Sequence, residues 1–541
     1  MTVRKRRPLH LLLCIALSAS AFLSYVIDSS SANFASAMPQ TDQLDPTITY
    51  TWGPSYEPKP GTAYALVGNM NPGPGVPFTN APCVNGLPGL YEGMCGIGFK
   101  LHYLENSLSP CLVNSETTCI DEVEVLLDSG SWVSASLDSE ALDRPLTWPA
   151  FPNLDVGPAN NGNIYGFQEA STGIRKLLFV RAAYELSYSN LNIGPSQYEI
   201  LINTVEKTNW ENCTKTSSDS INWFSGRLSF FYPPTSSSIC YLRTPFENRI
   251  RLSLKMKNPP NGWIETYLSS ADAKLSTDSS ELLPHNMMIE GSPVKLPKVK
   301  LVIPHSDTES RQILCNSRLP KGLNWCSETN KLWSSIGFST TSTNGLDPVG
   351  SFTEALKLFP KQLDTAEIEY STWRVRIKRA DSRTVGNCSS ATGIYGLFGG
   401  NALLISSSIP IWNSASQTLE FGVSSPHYRP DGQTAIGFYE MQINEKVAQC
   451  LWGTKITPQN VSLAVVDDNG QSKVAAATIS SGNGMIAFRA SGFTYSSTTL
   501  RASFNSAQSL KTNKRLTCLK GRKTKLQPHG ITKCPKGWRK K

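Results

Sequence analysis

The feature that most constrains the fold is the alternation of apolar and polar residues along short segments, which is typical of β-strands with one buried face. In Arg249–Lys257 every even position is apolar and every odd position is polar or basic. Val123 and Val125 alternate with acidic residues ahead of a Ser-Gly turn, and Trp373–Lys378 repeats the pattern. For this last segment the alternation predicts one dry face and one wet face.

Breaker residues between such segments predict hairpin turns. Proline lacks the N–H that a strand ladder uses, and Asn-Gly tolerates positive φ. Asn258–Gly262 therefore predicts a hairpin between the strand that ends near Lys257 and the next one, Trp263–Leu268. A C-terminal meander is predicted from three further segments separated by turn residues, at Val461–Val466, Lys473–Ile479 and Met485–Phe488.

The composition agrees with a β-rich chain of several domains. Its 541 residues exceed what one core usually organises, and 40% are hydrophobic while 17% are charged. The 39 glycines and 35 prolines favour many turns and disfavour helical bundles. Helix is predicted at Ser351–Phe359, which a proline ends, and as a short turn at Asn444–Gln449.

Together these patterns predict an all-β protein of two or three antiparallel β-sandwich-like domains with disulfides, very little helix and a basic C-terminal knob. The predicted order along the chain is a signal peptide at 1–37, a flexible segment at 38–47, a β-rich N-terminal region at 48–280 with room for two subdomains, a Pro- and Lys-rich linker at 281–302, a β-sandwich-like domain at 303–508 and a basic, disulfide-closed tail at 511–541.

The N-terminus has the composition of an export signal. Arg4–Arg7 precedes a largely apolar run, Leu9–Ile27, so the basic residues can stay cytoplasmic while the apolar segment enters the bilayer. Ala35–Ala37 provides the small residues that a signal peptidase requires, which predicts Sec-type export with cleavage after Ala37. The alternative is an uncleaved anchor, because about 19 apolar residues can just span a bilayer.

Cleavage would remove Cys14 and leave an even number of cysteines, which in an exported chain predicts a disulfide framework. Metal binding is disfavoured because the chain has no Cys-x-x-Cys motif. The spacing suggests pairing of near neighbours, although sequence alone leaves the connectivity open. The suggested pairs are Cys83–Cys95, Cys111–Cys119, Cys213–Cys240, Cys315–Cys326, Cys388–Cys450 and Cys518–Cys534.

The C-terminal tail differs in charge from the rest of the chain. The whole chain is +9, the leader through Ala37 is +3 and the tail is +12, so the body between them is −6. A loop of fifteen residues closed by Cys518 and Cys534 would restrict the unfolded tail by about 3 kcal/mol. The tail has no acidic residue, and its twelve cations are Lys511, Lys514, Arg515, Lys520, Arg522, Lys523, Lys525, Lys533, Lys536, Arg539, Lys540 and Lys541.

These C-terminal motifs resemble segments of exported actinobacterial surface proteins. Thr517–Lys525 followed by Lys533–Lys541 is similar to a terminal Cys…Lys-Cys-Pro-Lys-Gly knob in that group. His427–Gly453 resembles a recurring C-terminal β-domain in which a Cys-Leu-aromatic-Gly element follows a short strand. The resemblance covers about residues 385–541. It implies a surface location and no particular chemistry.

Catalytic motifs are scarce. The chain has no His-Glu-x-x-His metal motif, no Gly-x-Ser-x-Gly nucleophile elbow and no Gly-rich phosphate loop. His427, Asp431 and Glu440 are the nearest approach to an acid–base group, but a Pro-Asp-Gly turn leading into a strand explains them better. Two-carboxylate glycoside hydrolysis stays open, because its two residues can be far apart in sequence. No catalytic residue and no cofactor is predicted.

Aromatic residues and the tail give the remaining functional hypotheses. Exposed aromatics can stack on sugars, and Trp223, Trp325 and Trp412 are the ones to test, although most aromatics are expected to fill cores. The cationic tail predicts retention on an anionic cell-envelope polymer or lipid surface, without specific nucleic-acid binding. The leading hypothesis is a secreted or cell-surface structural or adhesive protein. The alternatives are an exported polysaccharide-active hydrolase and a non-catalytic binder of a glycan or a protein.

Overall fold

The computed structural model describes residues 47–52, 64–68, 100–140 and most of 155–540. The longest gaps within the last range are 188–196, 210–238, 318–335, 338–347 and 505–516. The predicted signal peptide and nearly all of the predicted flexible segment lie outside the described residues. Its last residue, Thr47, begins the first strand.

The described residues form 28 strands and four helices. In the N-terminal half the strands are β1 (Thr47–Trp52), β2 (Tyr64–Gly68), β3 (Lys100–Ser107), β4 (Cys119–Leu126), β5 (Trp132–Ser134), β6 (Ser136–Glu140), β7 (Asn163–Gln168), β8 (Arg175–Ser187), β9 (Gln197–Asn209), β10 (Ile239–Arg243), β11 (Ile250–Met256) and β12 (Gly262–Thr277). The following strands are β13 (His285–Pro304), β14 (Ile336–Gly337), β15 (Ile368–Arg379), β16 (Ile394–Gly400), β17 (Leu404–Ile405), β18 (Ile411–Asn413), β19 (Thr418–Ser424) and β20 (Ile436–Asn444). The last are β21 (Val461–Asp467), β22 (Ser472–Lys473), β23 (Ala476–Gly482), β24 (Met485–Thr494), β25 (Thr498–Phe504), β26 (Thr517–Lys520), β27 (Lys523–Leu526) and β28 (Arg539–Lys540).

The helices are few and short, as predicted. They are α1 (Thr308–Asn316), α2 (Pro348–Leu358), α3 (Pro360–Leu363) and α4 (Glu445–Trp452). The predicted helix at Ser351–Phe359 is confirmed over Ser351–Leu358, which lies in α2, and the predicted turn at Asn444–Gln449 supplies the N-cap and the start of α4. The Asn444 side chain caps α4 by accepting from the backbone N–H of Lys446. Sequence analysis missed α1, which the Asp307 carboxylate caps in the same way.

Two sheets enclose the first core of the fold. The first runs in the order β7–β8–β9–β15–β12–β16–β20–β24–β23. All of these pairs are antiparallel except β12–β16, which is parallel. The second sheet is antiparallel in the order β5–β4–β11–β13–β12. The all-β fold class with little helix is therefore confirmed, and the first sheet is mixed.

Strand β12 belongs to both sheets. Its first part, Gly262–Tyr267, pairs with β15 and β16, whereas its second part, Leu268–Thr277, pairs with β13. The register shifts between Ser269 and Asp272, and Ser270 has a φ of 51° there. Such an irregularity bends the strand and lets it leave one sheet for the other.

The predicted hairpin between Arg249–Lys257 and Trp263–Leu268 is wrong. The alternation itself is confirmed in β11, where apolar side chains are buried at every second position. However, β11 pairs with β4 and β13, so β13 lies between it and the second part of β12. The reason is burial: β12 is buried on both faces from Gly262 to Leu268, so this segment takes a central place in the first sheet.

The predicted linker at 281–302 is also wrong, because most of it is strand β13. This strand pairs in turn with β11 and β12, then with β15, and finally with β1. Its prolines hid the strand pattern. Among the described residues, Val294–Lys298 has one partner strand, β15, and a strand edge of this kind accommodates Pro297.

The two faces of the first sheet pack into different cores. Ile264 and Leu397 lie in the core between the first and second sheets, together with Val123 and Leu252. Their chain neighbours Trp263 and Phe398 point to the other face and belong to a second core. The predicted boundary between 48–280 and 303–508 therefore runs through a continuous sheet, and Thr47–Lys541 groups as one compact unit.

A third sheet and α4 cover the second core. The sheet runs β19–β25–β21–β22, with β17 and β18 also paired to β19. Phe421 of β19 stacks on Tyr439 of β20, with ring centroids 4.0 Å apart. The predicted C-terminal meander divides here: β21 and β22 form a hairpin in the third sheet, while β23 and β24 form one in the first sheet.

The close contact of Gly396 with Trp263 gives a stability prediction. A Cβ at Gly396 would lie 2.5 Å from the Trp263 ring and 2.2 Å from the Gln442 carbonyl oxygen. We expect Gly396→Ala to lower the free energy of unfolding by about 1–3 kcal/mol, because an overpacked core must shift. Gly482→Ala is the matched control, since a Cβ there meets nothing within 4 Å. Equal denaturation midpoints for the two variants would contradict the packing argument.

Candidate functional site

The predicted wet face of β15 is buried. Trp373, Val375 and Ile377 fill the first core as predicted, but Arg374 and Arg376 on the opposite face are only 3% and 7% exposed. This face holds a strip of charged side chains, which we call the ionic strip. Its members are Glu199 of β9, Glu265 of β12, and Arg374, Arg376 and Lys378 of β15.

Two carboxylates organise the ionic strip. The Arg374 Nε donates to Glu199 Oε1 at 2.7 Å, and the Arg376 Nε lies 3.4 Å from the same oxygen. The Arg376 Nη1 lies 3.6 Å from Glu265 Oε1, and the Lys378 Nζ lies 2.9 Å from Glu265 Oε2. Arg376 therefore lies between the two carboxylates and links β9 to β12 across β15.

The ionic strip lowers the pKa of both carboxyls. Burial by itself would raise the pKa of Glu199, but the guanidinium groups of Arg374 and Arg376 outweigh it. The pKa of Glu265 is lowered against the same burial effect by Lys378 and Arg376. Both side chains are therefore charged at neutral pH. Paired groups of this kind are costly to separate, so we interpret the strip as a structural element.

A cleft opens where β12 leaves the first sheet. Its volume is about 490 Å³, within the range of about 300–1,000 Å³ that small-molecule sites occupy. It lies between Ser269 of β12, the Pro293–Pro297 edge of β13 and the segment that leads into β20. Polar side chains in its lining include Ser269, Lys295, Glu369, Asn401, Arg429 and Gln433. Apolar and aromatic ones include Val294, Ala435, Ile436, Phe438 and Tyr495.

Hydrogen bonds fix one wall of the cleft. The Asn401 amide donates to the Ile436 carbonyl at 3.0 Å, and its oxygen accepts from the Phe438 N–H at 2.9 Å. The buried Tyr495 hydroxyl also donates to the Asn401 oxygen. Burial raises the pKa of Tyr495, so its hydroxyl stays protonated and available as a donor.

An ion pair forms another part of the lining. The Arg429 Nη2 lies 3.1 Å from Glu369 Oε2, and the Arg429 Nη1 lies 3.9 Å from Asp431. Hydrogen bonding to Glu369 raises the pKa of Arg429. Glu369 is the one carboxylate among the described lining residues, so the two-carboxylate arrangement expected of a glycoside hydrolase does not occur in this described lining.

The three residues of the predicted acid–base group each contact other groups. The His427 Nδ1 contacts Asp364, at the end of α3. Asp431 caps its own turn by accepting from the Gln433 N–H at 2.9 Å, so the turn interpretation is the one that the structure supports. Glu440 lies on β20, with Arg489 at 3.3 Å and the Ala271 N–H at 3.3 Å. Burial raises its pKa.

The aromatic residues singled out in the sequence do not form an exposed row among the described residues. Trp412 packs edge-on against Trp452 at 5.1 Å and contacts the second core. Trp223 and Trp325 lie outside the described residues. Tyr428 is the one aromatic among the large, exposed hydrophobic side chains of the described chain.

The C-terminal tail contains a small three-stranded sheet, which we call the basic knob (517–540). Strand β26 pairs with β27 on one side and with β28 on the other. The register places Lys525 and Lys540 opposite Cys518, and Lys523 opposite Lys520. The side chains of Lys520, Lys536 and Arg539 are exposed. Of the other predicted contact residues, Lys511, Lys514, Arg515, Arg522, Lys533 and Lys541 lie outside the described residues.

Three of the suggested cysteine pairs are disulfides in the structure. Cys111–Cys119 closes a loop before β4, and Cys388–Cys450 joins α4 to the segment before β16. Cys518–Cys534 closes the basic knob. These bonds indicate an oxidising, non-cytoplasmic compartment. The other suggested pairs, Cys83–Cys95, Cys213–Cys240 and Cys315–Cys326, involve side chains outside the described residues.

Comparisons with known proteins add no relative. No protein-family model, no curated protein and no solved structure matches the chain significantly. Within the described ranges, no helix has the length and apolar composition needed to cross a bilayer. The described His, Cys, Asp and Glu residues also form no group of three or more that could hold a metal ion. The function has to be argued from the basic knob and the cleft.

The ionic strip gives a pH-dependent stability prediction. We expect Glu265→Gln to lower the free energy of unfolding at neutral pH by about 3–5 kcal/mol, because it removes the buried carboxylate that pairs with Lys378 and one of the two that pair with Arg376. A carboxyl with a lowered pKa stabilises the fold above its ordinary pKa, here 4.5, and this stabilisation is lost as the pH falls through the lowered value. The difference between wild type and variant should therefore close in acid.

Urea unfolding at several pH values measures this difference. The control is Glu116→Gln, which changes an exposed carboxyl and should alter stability by less than about 0.5 kcal/mol. A Glu265→Gln effect that stays constant from neutral pH to acid would show that packing, and not charge, explains it.

Proposed function

We propose that this protein is an exported cell-surface protein that the basic knob holds on an anionic polymer or lipid of the cell envelope. The observation that carries the proposal is the knob itself, a disulfide-closed sheet in a tail with twelve cations and no acidic residue. The body of the chain, between the predicted leader and the tail, has a net charge of −6, so the tail differs from the body in the sign of its net charge.

The folded structure of the basic knob favours binding to an anionic partner over a tail that only increases solubility. Cys518 is fully buried, and the strands on both sides of it carry lysines at the paired positions. A folded knob presents its cations at fixed spacing, so less conformational entropy is lost when it binds. Each Lys or Arg near an anionic lipid surface contributes about 1 kcal/mol.

The structural or adhesive role belongs to the same proposal. It is supported by disulfide-stapled, strand-rich architecture and by the lack of a two-carboxylate arrangement in the described lining of the cleft. The predicted leader and the resemblance of the tail to exported surface proteins agree with this role. In this view the body acts outside the cell while the knob provides retention.

Substitution of the exposed knob cations tests retention. The variant Lys520→Gln, Lys536→Gln, Arg539→Gln removes three charges whose side chains are exposed. We expect about 100-fold weaker binding of the purified chain to phosphatidylglycerol vesicles or to isolated wall teichoic acid, because about 3 kcal/mol of attraction is removed. Running both ligands separately distinguishes lipid from polymer.

The matched control removes three exposed cations from the body, as Lys207→Gln, Lys361→Gln, Lys446→Gln. It should bind like wild type, and wild-type binding should weaken as salt is raised towards about 1 M, where charges are screened beyond about 3 Å. Cells that express a chain lacking residues 511–541 should release it into the medium. Unchanged retention of both this truncation and the knob variant would reject the proposal.

A further inference from the structure

The cleft contains polar groups that the fold leaves uncommitted. Lys295 and Gln433 line it and are exposed, and neither side chain makes a hydrogen bond or ion pair with another described residue. The other strongly polar lining groups are already occupied, since Arg429 binds Glu369 and Asn401 bonds to the β20 backbone. The ammonium group of Lys295 and the amide of Gln433 are therefore available to hydrogen-bond a ligand.

The net charge of the described lining favours an anionic ligand. Within this lining Glu369 and Arg429 neutralise each other, which leaves the positive charge of Lys295, whereas Asp431, 3.9 Å from Arg429, lies outside the lining. A ligand with a single carboxylate would complement it through a charge-assisted hydrogen bond, which is stronger than a bond between neutral groups.

Part of the lining is apolar. Phe438 is half-buried and Ile436 is 54% exposed, so both retain surface that a ligand can cover. An aromatic ring beside amide and ammonium donors suits a ring with one apolar face and hydroxyls at its edge. A saccharide ring has this combination.

The edge of β13 argues against an extended peptide as the ligand. A peptide that adds a strand to a sheet needs a row of free backbone N–H and C=O groups. Pro297 lies on this edge and Pro293 directly precedes it, and neither supplies an N–H. The cleft therefore offers side-chain recognition more readily than strand addition.

We propose that the cleft is a binding site for an acidic saccharide residue. Lys295 pairs with its carboxylate, Phe438 and Ile436 cover an apolar face of the ring, and Gln433 bonds to its hydroxyls. This site is independent of the basic knob, and it needs no catalysis, because no second carboxylate is present in the described lining.

Binding of acidic monosaccharides to the full chain tests the proposal. The probes are D-glucuronate, D-galacturonate and N-acetylneuraminate, with D-glucose as the neutral comparison, titrated by calorimetry and ligand-observed NMR. At least one acidic sugar should saturate the protein at concentrations up to about 10 mM, more tightly than glucose. Lys295→Gln should weaken it by about 10- to 100-fold and remove the preference over glucose.

Two controls separate this site from the knob. Lys361→Gln removes an exposed body cation away from the described lining, and the knob variant Lys520→Gln, Lys536→Gln, Arg539→Gln removes non-specific attraction. Both should bind the acidic sugar like wild type. The proposal is overturned if no acidic sugar saturates the protein, if glucose binds equally well, or if the knob variant loses binding while Lys295→Gln keeps it. The last result would leave retention by the knob intact.

Discussion

The fork in strand β12 is the constraint on which the rest of this structure depends. In Gly262–Leu268 consecutive side chains alternate between two cores, Trp263 and Tyr267 on one side and Ile264 and Leu268 on the other. Because both faces are buried, the strand has to lie inside the first sheet, between β15 and β16. Its bend near Ser270 then sends the remainder into the second sheet. Because one strand contributes side chains to both cores, no domain boundary separates them.

The ionic strip and the cleft are both consequences of this fork. On the second face of the sheet, Glu265 lies between Trp263 and Tyr267, so an acidic group is carried into a buried region and must find cations. Arg376 and Lys378 of the neighbouring strand provide them. At this fork β13 stops pairing with β12 beyond Pro293, and the cleft lies beside the following segment of β13. The ionic strip and the cleft thus lie a few residues apart along β12, although they arise for different reasons.

The basic knob stands apart from these features in how it is stabilised. The four-residue strands β26 and β27 and the two-residue β28 are short for an independent sheet, and the Cys518–Cys534 bond closes them into a unit. Its charge is set by composition and needs no tertiary partner. The cleft is the opposite case, since its residues come from β12, β13, β15, β20 and the connecting segments at 401, 425–435 and 495, and have no common sequence motif. The basic knob and the cleft can therefore change independently.

Local patterns in the sequence were sufficient for the strand character of β11, the helix α2, three disulfide pairs and the charge of the tail. Each depends on neighbours within a few residues or on the pairing of nearby cysteines, with Cys388–Cys450 the most distant.

The hairpin and the linker were predicted wrongly because the same sequence pattern occurs in two structural settings. Prolines and a loss of alternation are found in exposed connections, but also in strands that are buried on both faces. The alternation at Arg374 and Arg376 likewise indicates a strand, but it does not determine whether other elements cover the polar face. Glu199, which lies 175 residues from Arg374 in the chain, reaches it only through the pairing of β9 with β15. Periodicity and composition thus determined the element types, whereas tertiary structure decided which faces are dry and where charges meet, because burial depends on strands that are distant in sequence.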